Sequence, residues 1–181
     1  MRLVFLDTET TGLNPEIHEM WEYSPIVRED DGSQRSFTRH IPGVSLYNAD
    51  PMALRIGRFY DRYTPVSIPP RDMASEAARL LSGATLVGAN PSFDAAFMAK
   101  FLRQNNQAPA WNHRMVDVEV LAMAALKLPE PVGLVKSAEL LGIAVDKEAA
   151  HTASYDAYLA MEIYDLVIGG FSKPPLKSVA A

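Results

Sequence analysis

Residues 3–12 read LVFLDTETTG. Four apolar side chains, Leu3 to Leu6, make a short continuous run, the pattern of a strand covered on both faces. At its tip stand Asp7 and Glu9, with one residue between them. Side chains alternate along a strand, so the two carboxylates point the same way. They repel, and one is pushed toward protonation unless a positive charge lies between them. A divalent cation meets that need, and oxygen-only ligation suits magnesium or manganese. A solvated acidic loop would also read D-x-E, because short motifs recur by chance.

The remaining composition narrows the field. The chain has 181 residues, 48% of them apolar, which predicts a single globular domain with a sizeable core and excludes a disordered chain. It has no cysteine. Disulfides and thiolate zinc sites are therefore excluded, and a reducing cytoplasm is the expected location. Met1 leads straight into the first strand, which is read as leaving no room for a signal peptide. No apolar stretch approaches a membrane span. The net charge of −5 argues against the large phosphate footprint of a long-duplex binder. It is compatible with an enzyme that grips a few nucleotides and lets metal ions face the phosphate.

Periodicity and turn chemistry predict the order of elements. A first strand spans about 2–7, and two more, 19–28 and 34–41, are joined by the turn Glu29–Gly32 as a meander. Asp50-Pro51 supplies an N-cap and a first-turn proline for a short helix to about Gly57. Residues 58–70 read as loop. Met73, Ala77, Leu80 and Leu81 share one helical face, with Gly83 as the stop. Thr85–Gly88 reads as a short buried strand. Asn90-Pro91 repeats the cap-and-proline signal for a helix carrying Phe93, Phe97 and Phe101 on one face. A further strand and helix fall within 113–127, and helices near 133–141 and 152–168 are each followed by glycine. Strands first, then strands alternating with helices, predict an α/β fold: a mixed sheet with helices packed on it.

More oxygen ligands must come from elsewhere if the first pair holds metal and phosphate. Asp94 lies one turn into the Asn90 helix, beside its phenylalanine face, where an unpaired carboxylate is costly. Asp156 lies early in the last long helix, where a plain capping role is open to it. His151 precedes it by five residues; a lone histidine is more often a surface or core residue than a catalyst. Asn90 itself needs no role beyond N-cap. A second D-x-E, Asp117-Val118-Glu119, lacks the Thr-Thr-Gly turn, and Asp117 is read as the cap of the helix after it.

Taken in order, Asp7-Thr8-Glu9-Thr10-Thr11-Gly12, Asn90-Pro91-Ser92-Phe93-Asp94 and His151-Thr152-Ala153-Ser154-Tyr155-Asp156 resemble the three motifs of the DEDD exonucleases. The resemblance is to the DnaQ-like subgroup whose third motif carries histidine. Its members include the proofreading subunit of bacterial replicative polymerase, RNase T and oligoribonuclease. The chain departs from the pattern in Ala89, where histidine is frequent, in Pro91, and in the stretch Met20–Pro25.

The resemblance implies an RNase H-like mixed β-sheet with helices packed on both faces, in one exonuclease domain over 1–170. It implies 3′ to 5′ removal of single nucleotides from single-stranded 3′ ends. Asp7, Glu9, Asp94 and Asp156 would hold two magnesium or manganese ions, about 3.5–4 Å apart in such sites, with Asp7 bridging. His151 would be the general base. Thr10 and Leu13 would meet the terminal nucleotide, with Asn90 and Phe93 as further substrate contacts; core packing is an equal reading of Phe93. Arg55, Arg58 and Arg62 are candidates for phosphate contact or for a solvated basic face. The expected substrate is DNA, with an exoribonuclease of the RNase T or oligoribonuclease kind as the alternative. A non-catalytic polymerase-binding subunit is a third reading, and a polymerase a second candidate partner. Residues 171–181 are read as a flexible tail, with Phe171–Leu176 as a candidate docking peptide.

Overall fold

The computed structural model describes residues 2–64 and 66–169, and the tail expected over 171–181 lies outside them. Strand β1 (Leu3–Thr10) is central. It pairs antiparallel with β2 (Met20–Arg28) and parallel with β5 (Thr85–Gly88), which in turn pairs parallel with β6 (Val116–Asp117). Two short strands, β3 (Gln34–Ser36) and β4 (Arg39–His40), both pair with β2. The strand expected over 34–41 is therefore split. The register carries Phe37 opposite Pro25, which has no N–H for the ladder. There the Ser24 hydroxyl donates to the Phe37 carbonyl at 3.1 Å instead.

Alternation along β1 builds two cores. Val4 and Leu6 face one side, packed with α3 (Pro70–Leu81) and α4 (Pro91–Gln104) through Met73, Ala77, Phe97 and Leu102. Leu3 and Phe5 face the other, packed with α5 (Val118–Leu126), α6 (Leu134–Leu140) and α7 (Ala153–Ile168). Helices thus cover both faces of a mixed sheet, as expected. Among the described residues no helix is long and apolar enough to cross a membrane.

Three local expectations change. The first strand runs through the D-x-E and ends at Thr10, so the acids lie within the strand and not at its tip. A β-bulge follows at once: Glu9 faces Glu22, but Thr10 faces Met20. Bulges recur beside active sites because they re-aim side chains and end pairing. The 58–70 loop contains a single turn of helix, α2 (Phe59–Arg62), after α1 (Pro51–Ile56). Asn90 stands at the N-cap position but does not cap. Its backbone is left-handed, φ 51°, and its amide oxygen accepts from the Ser92 hydroxyl. Asp50 and Thr152 do cap their helices, α1 and α7.

Asp117 caps α5 as read, its carboxylate accepting from the N–H groups of Glu119 and Val120. Asp117→Ala is therefore expected to cost about 0.5–2 kcal/mol of stability and to leave exonuclease digestion nearly intact. Glu9→Gln should do the reverse. Chemical denaturation and timed digestion of both variants check this; a folded Asp117→Ala as inactive as Glu9→Gln would make the second D-x-E the catalytic one.

Candidate active site

Asp7 and Glu9 share the β1 face that carries Leu3 and Phe5, so they look toward the N-terminus of α7. Asp156 comes from the first turn of that helix, and Asp94 from the first turn of α4 on the opposite side of the sheet. Thr8, on the intervening face of β1, donates its hydroxyl proton to Asp94 Oδ1 at 2.7 Å. Thus one strand presents two acids on one side and orients a third from the other. Asp7, Glu9, Thr10, Leu13, Phe93, His151 and Asp156 line a single cleft of about 230 Å³, together with Thr8, Ala53 and Ile56. Asp94 lies beneath it, 3% exposed. Asn90 is outside the lining, exposed at the start of α4.

The electrostatics of this cluster are unfavourable without a cation. Burial raises the Asp7 carboxyl well above its ordinary range, reinforced by the charges of Asp94, Asp156, Glu9 and Glu22. Burial raises Glu9 to about 8, against the opposing pull of Arg62. Burial raises Asp94 to about 7 even though Thr8 hydrogen-bonds it. Asp156 is raised by burial too, partly offset by His151. Asp156 Oδ1 is buried with no hydrogen-bond partner among the described residues. A desolvated carboxylate oxygen left unpaired is costly. The donor set is oxygen only, which fits a hard divalent ion. Among the described residues no group of three or more acids or histidines is arranged to hold a metal ion as the side chains stand.

His151 is exposed on the cleft rim with φ 61°, in the left-handed region. Non-glycine residues held there are concentrated at functional sites. Thr152 follows and caps α7 by accepting from Tyr155 N–H, so the histidine is set at the entry to the helix that carries Asp156.

Sequence reasoning missed a fifth acid and its partner. Glu22, 1% exposed on β2, faces Glu9 across the strand pair. Its carboxylate takes both a paired contact from Arg62 Nη2 and hydrogen bonds from His40 Nε2 at 2.9 Å and Ala153 N at 3.2 Å. Arg55 and Arg58 are solvated, but Arg62 turns inward and belongs to neither reading made of it. Gly57 makes room for this packing. A Cβ there would stand 2.8 Å from Glu9 Oε2 and 3.1 Å from the Trp21 ring. The only sequence signal was an acid inside an otherwise apolar strand; its alignment with Glu9 comes from the register.

A family profile described as exonuclease, of the RNase T type, matches residues 4–164. The chain belongs to the RNase T exonuclease family. This exonuclease is a 3′–5′ phosphodiester hydrolase, and members of its family are metal-dependent. It is 26% identical to ribonuclease T of Marinobacter nauticus over 96% of this chain and 88% of that protein. It is 28% identical to the DNA polymerase III epsilon subunit of Treponema pallidum over 92% of this chain and 76% of that protein. In fold it is similar to Exonuclease I of E. coli, solved in complex with a dT13 oligonucleotide, with TM-score 0.74 at 18% identity. The match covers 92% of the exonuclease and spans about 40% of the length of Exonuclease I. The RNase H-like architecture expected from the motifs is thereby shown.

Proposed function

We propose that this exonuclease removes mononucleotides from single-stranded DNA 3′ ends, with Asp7, Glu9, Asp94 and Asp156 holding two magnesium or manganese ions and His151 as general base. The observation that carries the reading is the convergence of four carboxylates, one with a buried unpartnered oxygen, beneath a cleft rimmed by histidine. Bound there, two divalent ions would stabilise the attacking and leaving oxygens of an in-line displacement. The side chains do the rest. His151, at the rim of the cleft, accepts the proton of the attacking water. Leu13, 77% exposed at the cleft mouth, meets the terminal base, and Phe93, half-buried against the core, closes the opposite wall. Thr10 serves through its backbone, since its hydroxyl already donates to the Gly12 carbonyl at 2.8 Å. Asn90, exposed and outside the cleft lining, contacts the substrate strand that leads into the cleft.

The choice of DNA is supported by the fold neighbour solved with dT13. The extensive match to ribonuclease T supports exoribonuclease action as the second reading. A polymerase is a second proposed partner, supported by the match to the epsilon subunit. The net charge of −5 suits a site that grips few phosphates.

Timed digestion of 3′- and 5′-labelled DNA and RNA oligomers, with manganese or with chelator, tests this. A 3′ label should leave at once as mononucleotide, and a 5′ label should shorten stepwise. DNA should be the faster substrate, and chelator should stop both. Faster RNA digestion would select the second reading; undiminished digestion in chelator would reject the metal site.

A further inference from the structure

We infer that Arg62 is the positioning residue for His151: it clamps the histidine backbone, Glu9 and the buried Glu22 into one rigid unit at the cleft. The inference rests on reading His151 as the general base. Arg62 comes from the single turn α2, and its side chain is 18% exposed. Its Nη1 donates to the Gly57 carbonyl at 2.7 Å, to the His151 carbonyl at 3.2 Å and to Glu9 Oε1 at 3.5 Å. Its Nη2 donates to both oxygens of Glu22. The guanidinium lies over the Trp21 ring, 5.1 Å from its centroid.

The contacts converge on the segment that holds the histidine. Residue 151 is tied by its carbonyl to Arg62, and residue 153 by its N–H to Glu22, the partner of Arg62. Between them Thr152 caps α7. Glu22 is fixed in turn by His40 Nε2, whose other ring nitrogen accepts from Thr64 N–H at 2.9 Å. The chain leaving the left-handed Cα of His151 is thus held at the carbonyl of 151 and at the N–H of 153, which restrains the backbone from which the imidazole reaches the cleft.

Two simpler roles fit less well. A phosphate contact would need free donors at the surface, yet both terminal nitrogens are already committed inside the protein. A purely stabilising ion pair is a weak explanation, because buried pairs rarely outperform apolar replacements. What the planar fork does here, and an ammonium cannot, is hold Glu22, Glu9 and a carbonyl in one geometry.

The test is a double-mutant cycle of Arg62→Lys and His151→Ala. Single-turnover rates at saturating DNA oligomer and KM are measured, normalised to folded protein. Arg62→Lys keeps the charge and should lower the rate about 10–100-fold, the usual consequence of losing an outer partner of a metal-site residue. KM should stay nearly unchanged. In the His151→Ala background the same substitution should cost little more. If Arg62→Lys folds poorly, Arg62→Gln with Glu22→Gln removes both buried charges together and should show the same pattern. A raised KM with unchanged rate would make Arg62 a phosphate contact and overturn the inference. Equal losses in both backgrounds would also overturn it, since Arg62 would then not act through His151. Full activity of Arg62→Lys beside an impaired His151→Ala rejects this inference alone. Full activity of His151→Ala rejects the general-base reading and this inference with it.

Discussion

Asp7→Asn is expected to abolish turnover and, in metal-free buffer, to raise the melting temperature. The two effects share one cause. Asp7 lies where Asp94, Asp156, Glu9 and Glu22 all repel it, and burial adds to the cost of its charge. Carboxyls in the unfolded chain titrate near 4. In the folded exonuclease Glu9 is raised to about 8 and Asp94 to about 7, with Asp7 and Asp156 also raised. A raised carboxyl contributes stability while protonated, below its unfolded pKa, and that contribution is lost as pH rises through the folded pKa. Between about pH 4 and 8 the folded state holds protons that the unfolded state has released, so stability falls with rising pH. In chelator the melting temperature of the wild type should therefore drop from pH 5 to pH 8. Asp7→Asn removes one of the repelling charges, so its decline should be shallower and its melting temperature at pH 8 higher. Magnesium or manganese binds the folded form and should raise the wild type by mass action, but should raise Asp7→Asn much less. Melting curves in chelator and in metal, beside timed digestion, carry the test. An Asp7→Asn variant that melts below the wild type in chelator at pH 8 would remove repulsion from the account; one that digests DNA normally would remove Asp7 from the site.

His151→Ala is expected to lose roughly 10²–10⁴-fold in rate near neutral pH, the usual contribution of a general base. The base takes a proton from the attacking water in the rate-limiting displacement. With the base gone, catalysis depends on nucleophile already deprotonated by the medium. That fraction grows with pH, so the deficit should narrow in alkaline buffer. Metal affinity measured by titration calorimetry should change much less than in Asp156→Ala, the proposed ligand whose buried Oδ1 has no hydrogen-bond partner among the described residues. A structural role makes a different forecast: a lower melting temperature with turnover per folded molecule nearly intact. Single-turnover pH profiles of wild type and variant separate the two. Parallel profiles with a constant gap would remove His151 from the proton transfer.

Much of this molecule was legible in its sequence because the relevant chemistry is local. The LVFL run and the alternating side chains of β1 do place Asp7 and Glu9 on one face. The caps Asp50 and Asp117 act through hydrogen bonds two or three residues away, within reach of a sequence window. The three motifs and their order led to the exonuclease family, which the profile match shows. Errors of boundary had short-range causes that competed with stronger signals. Pro25 broke the pairing partner expected over 34–41, and the tyrosine- and proline-rich 58–70 stretch hid one helical turn.

Tertiary structure alone decided the wiring of the site. Glu22 is thirteen residues from Glu9 in sequence and directly opposite it in the sheet, a consequence of strand register. Arg62 read as one cation among three, because composition cannot say which long side chain folds inward. Its bonds to Glu9, Glu22 and His151 span 53, 40 and 89 residues of chain. The carboxyls raised to about 7 and about 8 are likewise set by desolvation and by neighbours brought from four elements. Motifs name the groups that can do the chemistry, since those depend on residue type and spacing. Register, burial and long-range pairing set the charge each group carries and the direction it faces, since those depend on atoms the chain brings together only by folding.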